Sequence, residues 1–155
     1  MTVTLHPGWK NAVEQFKTEG KKEGDLLTFD WLYGHFFIDR PTASMSHADA
    51  QKAEIKFLDA FKKFEETLLF ANLIALENVR GAGYRVVPAK EQTRWAYREG
   101  FREVARGMKK MTQRLVHTDL SKLSPSEQKE NEDAQARVTG LRSMISRTRR
   151  LPRPS

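Results

Sequence analysis

Cysteine is absent from the 155 residues, which excludes a disulfide framework, a thiolate nucleophile and a thiolate metal site. Histidine is scarce. His6, His35, His47 and His117 show no metal-ligand spacing, so no metal site is expected. Asp30 and His35 would lie about one helical turn apart, yet no serine or cysteine nucleophile motif accompanies them. Gly81-Ala82-Gly83 lacks the third glycine and strand-to-helix context of a dinucleotide loop, and the lysine of a phosphate loop. No catalytic constellation and no cofactor are expected, so the chain reads as something other than an enzyme. No apolar run is long enough to span a bilayer, and the start lacks a charged-then-apolar leader. A cytoplasmic location with no membrane partner is the expectation.

What is present is charge, unevenly placed. Residues 1–90 hold 12 Lys+Arg and 12 Asp+Glu, whereas residues 91–155 hold 15 and 8, which supplies the whole net charge of +7. A surface of this sign favours polyanions through counterion release. Hydrophobic residues make up 39% of the chain, enough for a core. The 30% charged content and mean hydropathy of -0.65 point to exposed helices.

Along the chain, Met1 to His6 alternates Val3 and Leu5 with threonines, as a short strand or an irregular start would. Trp9, Ala12, Val13 and Phe16 then share one helical face, and Thr18 to Gly24 reads as a loop. Asp25 to Thr28 is a short extended piece. Thr28 is placed to cap a helix carrying Trp31, Leu32, His35 and Phe36, with an end expected near Ile38–Pro41. Ser46 caps the next helix, with Asp49 three residues on. From His47 to about Phe70, Ile55, Leu58, Phe61, Leu68 and Leu69 interleave with Phe57 and Phe64. That stripe is wide enough to bury much of the circumference. Lys52, Lys56, Lys62 and Lys63 are its candidate nucleic-acid contacts, balanced by as many acidic residues.

Two apolar flanks, Leu76–Val79 and Tyr84–Val87, enclose Arg80-Gly81-Ala82-Gly83, which reads as a β-hairpin with glycines at the turn. This Val-Arg-Gly-Ala-Gly-Tyr-Arg stretch resembles the wing that closes the winged-helix effector domain of OmpR/PhoB-type response regulators. Leu27-Thr28-x-Asp30-x-Leu32 is loosely similar to that family's first-helix pattern. Asn78 stands where the family usually has threonine, and the chain continues well past the wing. The resemblance covers residues 25–87. It implies a winged helix-turn-helix in which the helix from Ser46 faces a major groove and Arg80 and Arg85 lie near phosphates or a minor groove.

Beyond Pro88, Tyr97, Phe101, Val104, Met108, Met111 and Leu115 step by four and three, the spacing of a helix packed along its length. Arg94, Arg98, Arg102, Arg106, Lys110 and Arg114 recur every four residues as a cationic ridge. Ser124-Pro125-Ser126-Glu127 opens a last helix, capped, with proline in its first turn. There Ala134, Val138, Leu141 and Ile145 repeat the seam. The fold class expected is mainly α with a small β-hairpin: a winged domain over 1–88, an antiparallel helical hairpin over 89–147 and a basic tail over 148–155. The seams, including Val138, Leu141 and Ile145, would pack in one chain or between two copies as a homodimer.

Two functions fit. One is a winged-helix regulator of transcription gripping duplex DNA with the 46–70 helix, the 79–87 wing and the basic 94–114 helix. The other is a small phage-type interaction protein that docks on a host polymerase or nuclease. Fold alone does not decide between them.

Overall fold

A computed structural model describes residues 7–149; the Val3/Leu5 alternation and the tail beyond Arg149 lie outside them. Among the described residues the protein is mainly helical, with a small antiparallel sheet. The order is α1 (Gly8–Thr18), β1 (Leu26–Thr28), α2 (Phe29–Phe36), α3 (His47–Asn72), β2 (Leu76–Val79), β3 (Gly83–Val86), α4 (Ala89–Val116) and α5 (Pro125–Thr148). Two compact units divide at Gln92 and Thr93, within α4.

In the first unit, α1 buries Ala12, Val13 and Phe16, the face given by their spacing. It ends because Gly20 takes φ 63°. The Gly20 and Lys21 amides then reach back to the carbonyls of Lys17 (3.1 Å) and Phe16 (3.2 Å), a Schellman close that satisfies carbonyls the helix leaves open. Thr28 caps α2 as its sequence implies, its hydroxyl accepting from the Trp31 amide at 3.2 Å. That helix stops earlier than proline would dictate, because Phe37 adopts a left-handed conformation at φ 58°. The Asn11 side-chain amide donates to the His35 carbonyl at 3.0 Å, covering one of the open carbonyls of α2.

The hairpin β2–β3 forms where expected, but the Asp25–Thr28 piece is more than a connector. Leu26–Thr28 pairs with β3, giving a three-stranded sheet in the order β1-β3-β2. Leu27 sits opposite Tyr84, and Gly83 lies between Thr28 and Val79. Leu27 is fully buried by this pairing.

The α3 stripe needs correction. Its buried positions are Ala53, Phe57, Phe61, Phe64 and Leu68, a single face. Ile55 and Leu58 point to solvent at 60% and 62% exposure. At about 100° per residue, these two lie well away from the mean direction of Phe57, Phe61, Phe64 and Leu68. Apolar type alone therefore overstated the buried arc. The core itself is aromatic: Phe57 stacks on Tyr33 with centroids 4.3 Å apart, and Phe61 on Tyr84 at 4.0 Å. Phe64, at its centre, meets Phe16, Trp31, Phe36 and Phe61.

In the second unit, α4 and α5 run antiparallel. The Tyr97 hydroxyl donates to the Thr148 carbonyl at 2.6 Å, and the Asn131 amide donates to the Leu115 carbonyl at 3.3 Å. Moving back along α4 from Leu115 to Tyr97 thus matches moving forward along α5 from Asn131 to Thr148. Asn131 is buried, and its carbonyl oxygen accepts from Gln135 at 2.7 Å. It also satisfies a carbonyl at the open end of α4. Of the seam, Met108 and Val138 are buried, Tyr97, Phe101, Leu115 and Ile145 are half-buried, and Val104, Met111 and Leu141 are exposed.

The capping box of α5 is complete. The Glu127 amide donates to the Ser124 hydroxyl (3.3 Å), and the Ser124 amide donates to the Glu127 carboxylate (2.7 Å). That backbone bond is the main reason the Glu127 carboxyl titrates below the ordinary 4.5. A depressed folded pKa means the contribution is present above the unfolded value and lost as pH falls through the folded one. Thermal melts of Glu127→Gln and the unaltered chain should therefore differ near neutral pH and converge as pH falls through the lowered Glu127 pKa. A gap that persists unchanged in acid would show that the carboxylate charge plays no part.

Candidate nucleic-acid interface

The β2–β3 hairpin is built residue by residue. Gly81 adopts φ 78° with open space where a Cβ would stand, so it supplies the turn, closed by the Ala82 amide on the Val79 carbonyl at 3.0 Å. Gly83 serves a different purpose. A Cβ there would lie 2.0 Å from the Leu27 carbonyl oxygen and 2.9 Å from the Thr28 Cα, so a bare backbone lets β1 close on β3. Tyr84 packs on Phe61 and, edge-on at 6.1 Å, on Phe29. Burial is the main cause raising its hydroxyl pKa.

Arg85, expected near a phosphate, is engaged inside the fold. Its Nη2 donates to Glu77 at 2.8 Å and to Glu91 at 2.9 Å. Those two carboxylates, Glu77 first, hold its pKa above the ordinary value. Arg85 thereby ties β2, β3 and the first turn of α4 together. Arg80 is different: it is exposed at the hairpin turn and makes no ion pair among the described residues.

On α3 the four lysines are all exposed. Lys63 pairs with Asp59 one turn earlier at 2.9 Å, whereas Lys52, Lys56 and Lys62 make no ion pair among the described residues. Lys52 and Lys56 also border a depression of about 260 Å³ floored by Phe37, Ile38, Met45 and Ala53, with Asp39 and Asp49 in its lining. Balanced charge makes that hollow a poor seat for a small anion. The same outward surface of α3 carries the exposed Ile55 and Leu58.

The α4 ridge of Arg94, Arg98, Arg102, Arg106, Lys110 and Arg114 is exposed throughout. Glu99 draws on part of it, lying 3.6 Å from Arg98 and 2.9 Å from Arg102. Arg106, Lys110 and Arg114 make no ion pair among the described residues. Lys109, beside the ridge and absent from the four-residue pattern, is a further exposed cation.

One polar cluster escaped sequence reasoning. The Trp31 indole donates to Glu19 at 2.9 Å, Lys21 lies 3.2 Å from the same carboxylate, and His35 lies 3.4 Å from it. The Lys21 ammonium also stands 5.6 Å from the Trp31 ring centre. The Trp31 hydrogen bond is the leading cause lowering the Glu19 pKa. Only the i, i+4 spacing of Trp31 and His35 hinted at it; the Glu19 partner comes from the loop after α1. The cluster fastens the end of α1 to α2. Among the described residues no group of three or more His, Asp or Glu side chains gathers as metal ligands do. No described helix is long and apolar enough to cross a membrane.

No family model, curated protein or solved structure matches the chain.

Proposed function

We propose that the chain is a cytoplasmic winged-helix protein that binds duplex DNA as a pair of copies and regulates transcription. Support comes from the element order helix-strand-helix-helix-strand-strand with the sheet order β1-β3-β2, the arrangement of a winged helix. The observation that carries the reading is Arg80. Every other residue of Arg80–Arg85 serves the turn, the sheet, the core or an internal ion pair. Arg80 alone extends from the turn unpaired among the described residues. In the same unit, Lys52, Lys56 and Lys62 on α3 are further exposed cations; in the second unit, Arg106, Lys110 and Arg114 form a cationic ridge of their own. Arg85, held by two carboxylates, is not counted among the contacts.

Fluorescence anisotropy with a generic labelled duplex tests this. Binding at micromolar or lower concentration should weaken steeply with salt, at about 0.9 of a logarithmic unit per phosphate contact. Arg80→Ala should lower that slope by about one contact without altering helicity. Absence of binding at low salt would remove the reading.

A second reading is favoured by the exposure of Ile55 and Leu58 between the α3 lysines. Apolar residues so placed suit a protein partner, such as a host polymerase or nuclease met by a phage-type modulator. A protein retained from nuclease-treated lysate by the unaltered chain and lost with Ile55→Glu would favour it.

A further inference from the structure

We propose that the hollow between the start of α3 and the chain leaving α2 binds a small zwitterion with an apolar side chain, that is, a free apolar α-amino acid. The inference does not rest on the DNA-binding reading, and its test contains no nucleic acid.

Size and lining define the apolar half of the ligand. The hollow holds about 260 Å³, just below the roughly 300–1,000 Å³ of sites that enclose drug-sized molecules, and so is of amino-acid scale. Its floor is Phe37, Ile38, Met45 and Ala53. Ala53 is buried and Ile38 packs against the core, so this part of the floor is held in place. Met45, unbranched, can adjust to what sits on it. Phe37 is the unusual member. It ends α2 at φ 58°, a left-handed conformation that glycine adopts freely and a bulky side chain resists. Its ring is 67% exposed and stays outside the core cluster, so burial does not offset that cost. What the ring supplies at this position is an aromatic wall to the hollow, which an apolar ligand side chain would cover.

Charge defines the polar half. Asp39, Asp49, Lys52 and Lys56 complete the lining, and all four are exposed. Although they border one hollow, no two of them form an ion pair among the described residues. Asp49 accepts the Ser46 hydroxyl through Oδ2 at 2.7 Å, which orients its carboxylate and leaves Oδ1 for a ligand. A simple anion entering the hollow would meet two carboxylates, and a simple cation two ammonium groups. A molecule carrying both signs avoids either penalty: its ammonium is met by Asp39 and Asp49, its carboxylate by Lys52 and Lys56. Spacings of three and four residues set Asp49, Lys52 and Lys56 on one side of α3, about 5 Å apart along the axis. The two ends of the ligand are therefore addressed by different turns of the same helix.

Titration of the isotope-labelled full chain with L-phenylalanine, followed by NMR, provides the test. The amide signals of Ile38 and Ala53 should shift with a Kd on the order of 1 mM, since exposed charges are screened and the ligand is small. Phenethylamine lacks the carboxylate and hydrocinnamate the ammonium; each should bind at least about tenfold more weakly. Phe37→Gly suits the left-handed backbone and keeps the fold, yet should weaken L-phenylalanine binding at least about tenfold. Lys52→Glu with Lys56→Glu should invert the preference, so that phenethylamine binds more tightly than L-phenylalanine. Absence of shifts with L-phenylalanine up to about 10 mM, or equal binding of the three compounds, would overturn the site. So would undiminished binding by Phe37→Gly.

Discussion

Gly83→Ala is expected to destabilise the N-terminal unit by at least about 3 kcal/mol, measured as a lower urea midpoint by circular dichroism. Two costs combine. The φ of 147° is a conformation that side-chain-bearing residues rarely adopt, and the new Cβ would meet the Leu27 carbonyl oxygen at 2.0 Å. Relief requires β1 to move off β3, which uncovers the fully buried Leu27. Gly81→Ala is the control. Its φ of 78° is also unfavourable, but nothing lies within 4 Å of the added methyl, so only about 1–2 kcal/mol should be lost. Equal effects at the two positions would mean that close strand approach is not what Gly83 provides.

Phe64→Ala should be of similar severity. The ring is completely buried and borders Phe16, Trp31, Phe36 and Phe61, with centroid separations of 5.7 to 6.4 Å. Truncating such a ring removes its transfer free energy and leaves a void its neighbours cannot fill, about 3–5 kcal/mol in all. Domains of this size have about 5–15 kcal/mol of stability, so the variant should lose a large share of it, read as a markedly lower urea midpoint. Leu58→Ala, on the outward side of the same helix, should change stability by no more than about 0.5 kcal/mol. Comparable losses at both positions would contradict the single buried face of α3.

Much of the fold was legible because its signals are local. Thr28, Ser46 and Ser124 each announce a helix start through chemistry confined to three or four residues, and all three cap as their sequences imply. The hairpin was legible from its glycines. What could not be read depends on distant partners. Leu26–Thr28 is too short to declare itself a strand until β3 lies beside it. Ile55 and Leu58 share the residue types of the core, and only the angular position of Phe57, Phe61 and Phe64 separates them from it. The candidate site was legible to the same limit. The cations are where the sequence put them, but the pairing of Arg85 with Glu77 and Glu91 depends on a turn of chain that periodicity does not encode.

The way the hairpin is assembled bears on what its motif records. Gly81, Gly83, Tyr84 and Arg85 are each required by backbone geometry, aromatic packing or an internal ion pair, whatever ligand the protein meets. The spelling Gly-x-Gly-Tyr-Arg is therefore a grammar of construction, and other chains that share it would share a hairpin without necessarily sharing a target. Arg80 is the position of this stretch at which the architecture leaves the choice of residue open, and on the DNA-binding reading proposed above that is where target information would lie.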